Sequence, residues 1–270
     1  MAVNHLDLRA RLVGFLFFLP ILLPVLAGYP YAVIGACLAA IWVVYEACTV
    51  LGTGVSAARR KLAMLALLLI FPLPVLVQNT ELSAMVIAGM AAVFLAIGIM
   101  LLRTREGVFI LLLAATIFSL CYLSAHPQGV LVLLFLAVVI SASDIGAYFS
   151  GRVIGGPKLA PAFSPSKTWA GSIGGAVSSV LAAEGFMVVF FQQHLDAGLA
   201  GIVLLLAVLS QIGDLYESAM KRRLGIKDSG QIVPGHGGAL DRFDGYMTTL
   251  PVAALALALD ITVMGTLPPL

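Results

Sequence analysis

The chain has 270 residues, of which 61% are hydrophobic and only 10% charged, with a formal net charge of +2. Soluble domains carry about a quarter charged residues, so too few remain here to cover a water-facing surface, and lipid must be the solvent for most of the chain. The charge balance argues for no nucleic-acid partner, and Cys37, Cys48 and Cys121 lie in apolar runs without ligand spacing, which argues against a disulfide or metal framework.

Apolar runs near the roughly 20-residue length of a bilayer crossing predict an all-α, polytopic membrane protein of about nine transmembrane helices. They fall at 12–28, 30–51, 62–78, 82–102, 108–125, 129–150, 170–193, 197–219 and 245–265. Arg9 and Arg11 precede the first run, but no small-x-small cleavage site follows, so it reads as an uncleaved helix. The first and third runs carry Pro20 and Pro24, and Pro72 and Pro74. Such prolines are tolerated in lipid when neighbours re-satisfy the freed carbonyls, and they predict kinks.

The basic residues test this count. Arg9 and Arg11 precede span one, Arg59, Arg60 and Lys61 follow span two, and Arg103 and Arg105 follow span four. Arg152, Lys158 and Lys167 follow span six, and Lys221, Arg222, Arg223, Lys227 and Arg242 follow span eight. All therefore fall on one side, and the positive-inside rule makes that side cytoplasmic. The expected topology has the N-terminus inside, the C-terminus outside, and the loops 151–169 and 220–244 in the cytoplasm. The chain reads as a single membrane domain, 1–270. Within it 1–139 is mainly scaffold, 140–250 holds the functional helices and loops, and 251–270 completes the last helix.

Ionisable groups at membrane depth are costly and are functional candidates by default. Asp260 and Glu46 lie near span ends, where snorkelling or a local hydrogen bond suffices. Glu184, among small residues of span seven, reads as a helix-packing or subunit contact. Asp144 differs, because Ser141, Asp144 and Tyr148 share one helical face at the cytoplasmic end of span six. Asp214, Glu217, Ser218, Lys221 and Arg222 form a similar face in span eight, and Asp241, Asp244 and Thr248 another at span nine. Carboxylates on rigid helices beside Lys and Arg suit a divalent cation and phosphate groups. The stretch Pro234-Gly235-His236-Gly237-Gly238 leaves backbone N–H groups unobstructed ahead of Asp241, as an anion-binding nest requires.

The motif Ser218-x2-Lys221-Arg222-x4-Lys227-Asp228-x5-Pro234-Gly235-His236-Gly237-Gly238-x2-Asp241-Arg242-x-Asp244 spans 27 residues and resembles that of the phosphatidate cytidylyltransferase (CDP-diacylglycerol synthase) family. Asp144-x-Gly146-Ala147-Tyr148-Phe149-x-Gly151-Arg152 and Ser164-Pro165-x-Lys167-Thr168-Trp169 resemble two further blocks of that family. The resemblance is dense from about 140 to 250. Ile145, Ser166 and Ala170 depart from it, and none of these departures removes a candidate ligand.

The resemblance implies transfer of a cytidylyl group from CTP to phosphatidate, with Mg²⁺, room for a second cation, and a homodimeric assembly. A phosphomonoester has a second pKa near 6, so the attacking oxygen needs no strong base. Asp214, Asp241 and Asp244 are accordingly expected as metal ligands, with Asp144 next in line. Lys221, Arg222, Lys227 and Arg242 are expected to neutralise the triphosphate. Lys167, with Ser164 and Thr168, would hold a phosphate from the other loop. Ser218, Asp228, Gly235, His236, Gly237 and Gly238 complete the expected binding residues. The rival expectations are a CTP-dependent polyprenol kinase and, from another class, an ion-coupled transporter.

Overall fold

The computed structural model describes residues 19–28, 31–51, 105–226, 229–230 and 238–258. The expected spans 62–78 and 82–102, Asp260, and the site candidates Lys227, Asp228, Gly235, His236 and Gly237 lie outside the described residues. The described chain is mostly helical. Residues 19–26 form a helical stretch. The other helices are α1 (Tyr31–Leu51), α2 (Arg105–Ala125), α3 (Gly129–Val153), α4 (Trp169–Phe191), α5 (Ala197–Arg223), α6 (Leu240–Phe243) and α7 (Tyr246–Ala258). Among the described residues, four helices are long and apolar enough to cross a membrane: Val108–Ala125 within α2, then α3, α4 and α5.

One element departs from the all-α expectation. Part of the stretch taken as the loop 151–169 is a two-stranded antiparallel hairpin, β1 (Lys158–Ala160) and β2 (Ser164–Thr168). Pro157, Pro161 and Pro165 exclude a helix here. Gly155 and Gly156 take the left-handed region, with φ of 67° and 93°, and so turn the chain out of α3. The hairpin ends where Thr168 caps α4, its Oγ1 accepting a hydrogen bond from the Gly171 N–H at 3.1 Å.

By contacts the chain forms two compact units, Met1–Val130 with Met220–Phe243, and Leu131–Ala219 with Asp244–Leu270. In the first, α1 buries Ala32, Ala36, Ala39, Ala40, Val43 and Ala47 and packs on α2. A stripe of alanines lets two backbones approach closely where lipid offers no hydrophobic drive to associate. The opposite face of α1 leaves Ile34, Leu38, Ile41 and Tyr45 exposed, as a lipid-facing helix would.

In the second unit small residues again set the packing. A Cβ on Gly146 of α3 would run into Ser178 of α4, and one on Gly174 into Ser150. Ser179 Oγ donates to the Val139 carbonyl at 3.0 Å. Gln211 of α5 donates to the Ser172 carbonyl at 3.0 Å and accepts from the Ser172 hydroxyl. Near the other end, Phe135 meets Phe186 edge-on with centroids 5.3 Å apart. Glu184 accepts a hydrogen bond from the Leu195 N–H at 2.7 Å and pairs with His194 at 2.6 Å, so it ties down the α4–α5 connection.

Candidate active site

In the second unit three acids come from three elements: Asp144 from α3, Asp214 from α5 and Asp244 from the turn between α6 and α7. Lys167, presented by β2, forms an ion pair with Asp214. Ser218 Oγ, one helical turn beyond Asp214, donates to its other oxygen at 3.4 Å. Asp244 is half-buried, and its carboxyl is pushed up to about 7. Burial is the first cause and the charge of Asp214 the second. The Gly245 N–H opposes the rise, Asp144 adds to it, and Lys167 partly relieves it.

That electrostatic conflict is the test for a cation. Carboxylates that hold one of their number protonated near neutrality would be relieved by a divalent ion. Among the described residues no three His, Cys, Asp or Glu side chains form a ready-made metal cage. Mg²⁺ seldom uses one, since it keeps several waters and shares substrate phosphates. Asp144, Asp214 and Asp244 are oxygen donors of the kind such an ion takes.

The first unit holds a second constellation. Lys221, near the end of α5, pairs with Asp241 of α6 at 2.7 Å. Asp241 also accepts hydrogen bonds from the Gly238 N–H at 2.9 Å and the Ser229 N–H at 3.1 Å. Burial alone would raise the Asp241 carboxyl, but the Lys221 hydrogen bond and the two N–H donors outweigh it and hold the group below its ordinary range. Asp241 is thus an anionic anchor for both Ser229 and Gly238.

Residues 9–260 match the description of the cytidylyltransferase family. The chain belongs to that family. Similar proteins include phosphatidate cytidylyltransferases from three bacteria. The Brucella suis protein is 52% identical over 133 residues, 49% of this chain and 47% of that protein. The Staphylococcus epidermidis protein is 41% identical over 137 residues, 50% of this chain and 52% of that protein. The Bacillus subtilis protein is 35% identical over 208 residues, 75% of this chain and 69% of that protein. The chain thus spans about half the length of the first two and two thirds of the third.

Within this cytidylyltransferase-family chain the remaining sequence candidates are placed as follows. Thr168 is buried under α4, where its hydroxyl caps the helix, while Ser164 is half-buried at the start of β2. Arg222 and Arg242 are exposed, and Gly238 is buried against Ser229 and Glu46. Asp144 and Tyr148 of α3 are exposed, and Tyr148 accepts a hydrogen bond from Arg152 at 2.7 Å. Sequence reasoning passed over Ser229 and Gln211 and gave Glu46 only a local role. No local pattern marks these contacts, because Ser229, Gln211 and one oxygen of Glu46 meet partners far away along the chain.

Proposed function

We propose that the chain is a phosphatidate cytidylyltransferase, which joins CTP and phosphatidate into CDP-diacylglycerol and releases pyrophosphate. The observation that carries this reading is Lys167 paired with Asp214 beside the repelling carboxylates Asp144 and Asp244, in a chain of the cytidylyltransferase family. A lipid phosphate oxygen attacks the α-phosphorus of CTP, and the bond to the bridging oxygen of the departing pyrophosphate breaks. The attacking phosphomonoester is already mostly ionised at neutral pH, so the carboxylates need not act as bases. Mg²⁺, when bound, neutralises phosphate charge and polarises the phosphoryl oxygens.

Asp214, Asp244 and Asp144 are the residues best suited to hold that ion. Asp241, grouped with them by sequence, already accepts three hydrogen bonds and would serve a cation only by giving some up. Lys167 and Lys221 each hold a carboxylate in the structure. Phosphate oxygens arriving at either ammonium group would compete with its carboxylate and free it. Arg222 and Arg242, with Lys227, would neutralise the pyrophosphate as it leaves. We further propose the nine-span arrangement, with the site on the cytoplasmic face of a bacterial cell membrane. There CTP arrives from the cytosol and phosphatidate from the bilayer surface.

The test is pyrophosphate release from CTP by detergent-purified protein with phosphatidate and Mg²⁺. Asp214→Asn is expected to lower turnover by at least about 10²-fold, the scale of losing one transition-state electrostatic contact. Release of CDP with a phosphorylated lipid alcohol would instead identify a lipid kinase. No nucleotide turnover with either lipid would remove the enzyme reading.

A further inference from the structure

Glu46 lies in α1, well before the motif, and is 1% exposed. A carboxylate so deeply buried is costly unless its oxygens are hydrogen-bonded. One oxygen accepts from the Trp42 indole N–H at 3.0 Å. The other accepts from the Ser229 hydroxyl at 3.2 Å and the Leu240 N–H at 3.0 Å. These donors lie 183 and 194 positions further along the chain, on the two stems of the Gly-rich loop. Ser229 is held twice, through its hydroxyl by Glu46 and through its N–H by Asp241. The fit is close. A Cβ on Gly230 would come 2.8 Å from one Glu46 oxygen, and one on Gly238 would collide with the other.

We propose that Glu46 is a positioning residue that clamps both stems of the loop and thereby sets Asp241 and its partner Lys221 for the nucleotide triphosphate. The clamp rests on the cytidylyltransferase reading only for which substrate it serves. Its geometry stands without that reading. Glu46 touches no proposed reacting group, so its effect passes through Ser229, Leu240 and Asp241. The consequence should fall on CTP rather than on the lipid.

The chemistry of the pocket supplies a discriminating variant. In Glu46→Gln the amide has one acceptor and one donor end. If its oxygen meets the loop donors, its NH₂ opposes the Trp42 indole N–H. If it turns round, the NH₂ opposes the Leu240 N–H. Adding Trp42→Phe removes the opposing donor and lets the amide oxygen face the loop.

The experiment measures amide hydrogen exchange over 229–241 and steady-state kinetics for wild type, Glu46→Gln and Trp42→Phe/Glu46→Gln, in detergent micelles. Glu46→Gln is expected to speed exchange at the stems at least about tenfold. It should also raise the KM for CTP by a similar factor, with kcat and the KM for phosphatidate within about threefold of wild type, a split that general destabilisation would not produce. The double variant should recover most of both effects. Unchanged exchange in Glu46→Gln would overturn the clamp. Faster exchange with an unchanged KM for CTP, or no recovery in the double variant, would overturn its positioning role. If wild type turns over no CTP, the functional reading fails, and the exchange comparison still decides the clamp.

Discussion

Lys167 lies in a strand only five residues long and meets Asp214 of α5 from there. Lys167→Ala would leave Asp214 without that partner beside Asp144 and Asp244. It is expected to lower kcat/KM by at least about 10²-fold, while Lys167→Arg retains part of the activity. Asp244 makes a separate statement about stability. Its carboxyl sits at about 7, against about 3.9 in an unfolded chain. Between those values the folded state binds the extra proton, so stability falls as pH rises from about 4 to about 7 and levels off above. With chelator present, the wild type is expected to melt several degrees lower at pH 8 than at pH 5.5, and Asp244→Asn to flatten that difference. Mg²⁺ should then restore more stability at pH 8 than at pH 5.5, because it competes with the proton for one carboxylate.

Among elements, α5 approaches the turn before α7 closely, next to the acids. A Cβ on Gly213 would strike the Asp244 carbonyl and come 2.8 Å from Thr248 Oγ1. Thr248 Oγ1 itself donates to the Leu209 carbonyl at 2.6 Å. Gly213→Ala is therefore expected to cost about 1–3 kcal/mol of stability, as overpacking does, and to lower activity by moving Asp244, both measurable by melting and pyrophosphate release. The helices themselves were legible in the sequence. Runs of apolar residues bounded by charge or Gly/Pro placed α1, α2, α3, α4, α5 and the start of α7 within a few residues, because lipid demands long unbroken apolar stretches. The hairpin was not legible, since Lys158–Ala160 and Ser164–Thr168 show no alternation and carry Pro165. Glu46 was not legible as a long-range contact because the partner near it in sequence, Trp42 one turn away, accounts for only one of its oxygens. Ser229 and Leu240 reach it only through the fold.

For the whole molecule, the proposed topology puts the loops that carry the motif on one cytoplasmic face, with the Lys and Arg residues. In a cysteine-free background, Lys158→Cys on β1 is expected to react with an impermeant maleimide only from the cytoplasmic side, and Asp196→Cys only from the opposite side. Labelling of both from one side would remove the proposed topology. The motif runs through both compact units, with Lys221 and Asp241 in the first and Asp144, Lys167, Asp214 and Asp244 in the second. The most direct measurement is the fate of label in CTP supplied with phosphatidate, Mg²⁺ and the purified protein. Label in the α-phosphate is expected to appear in the lipid product, while label in the γ-phosphate leaves as pyrophosphate. Appearance of the γ-label in a lipid, or no labelled lipid from either nucleotide, would contradict cytidylyl transfer.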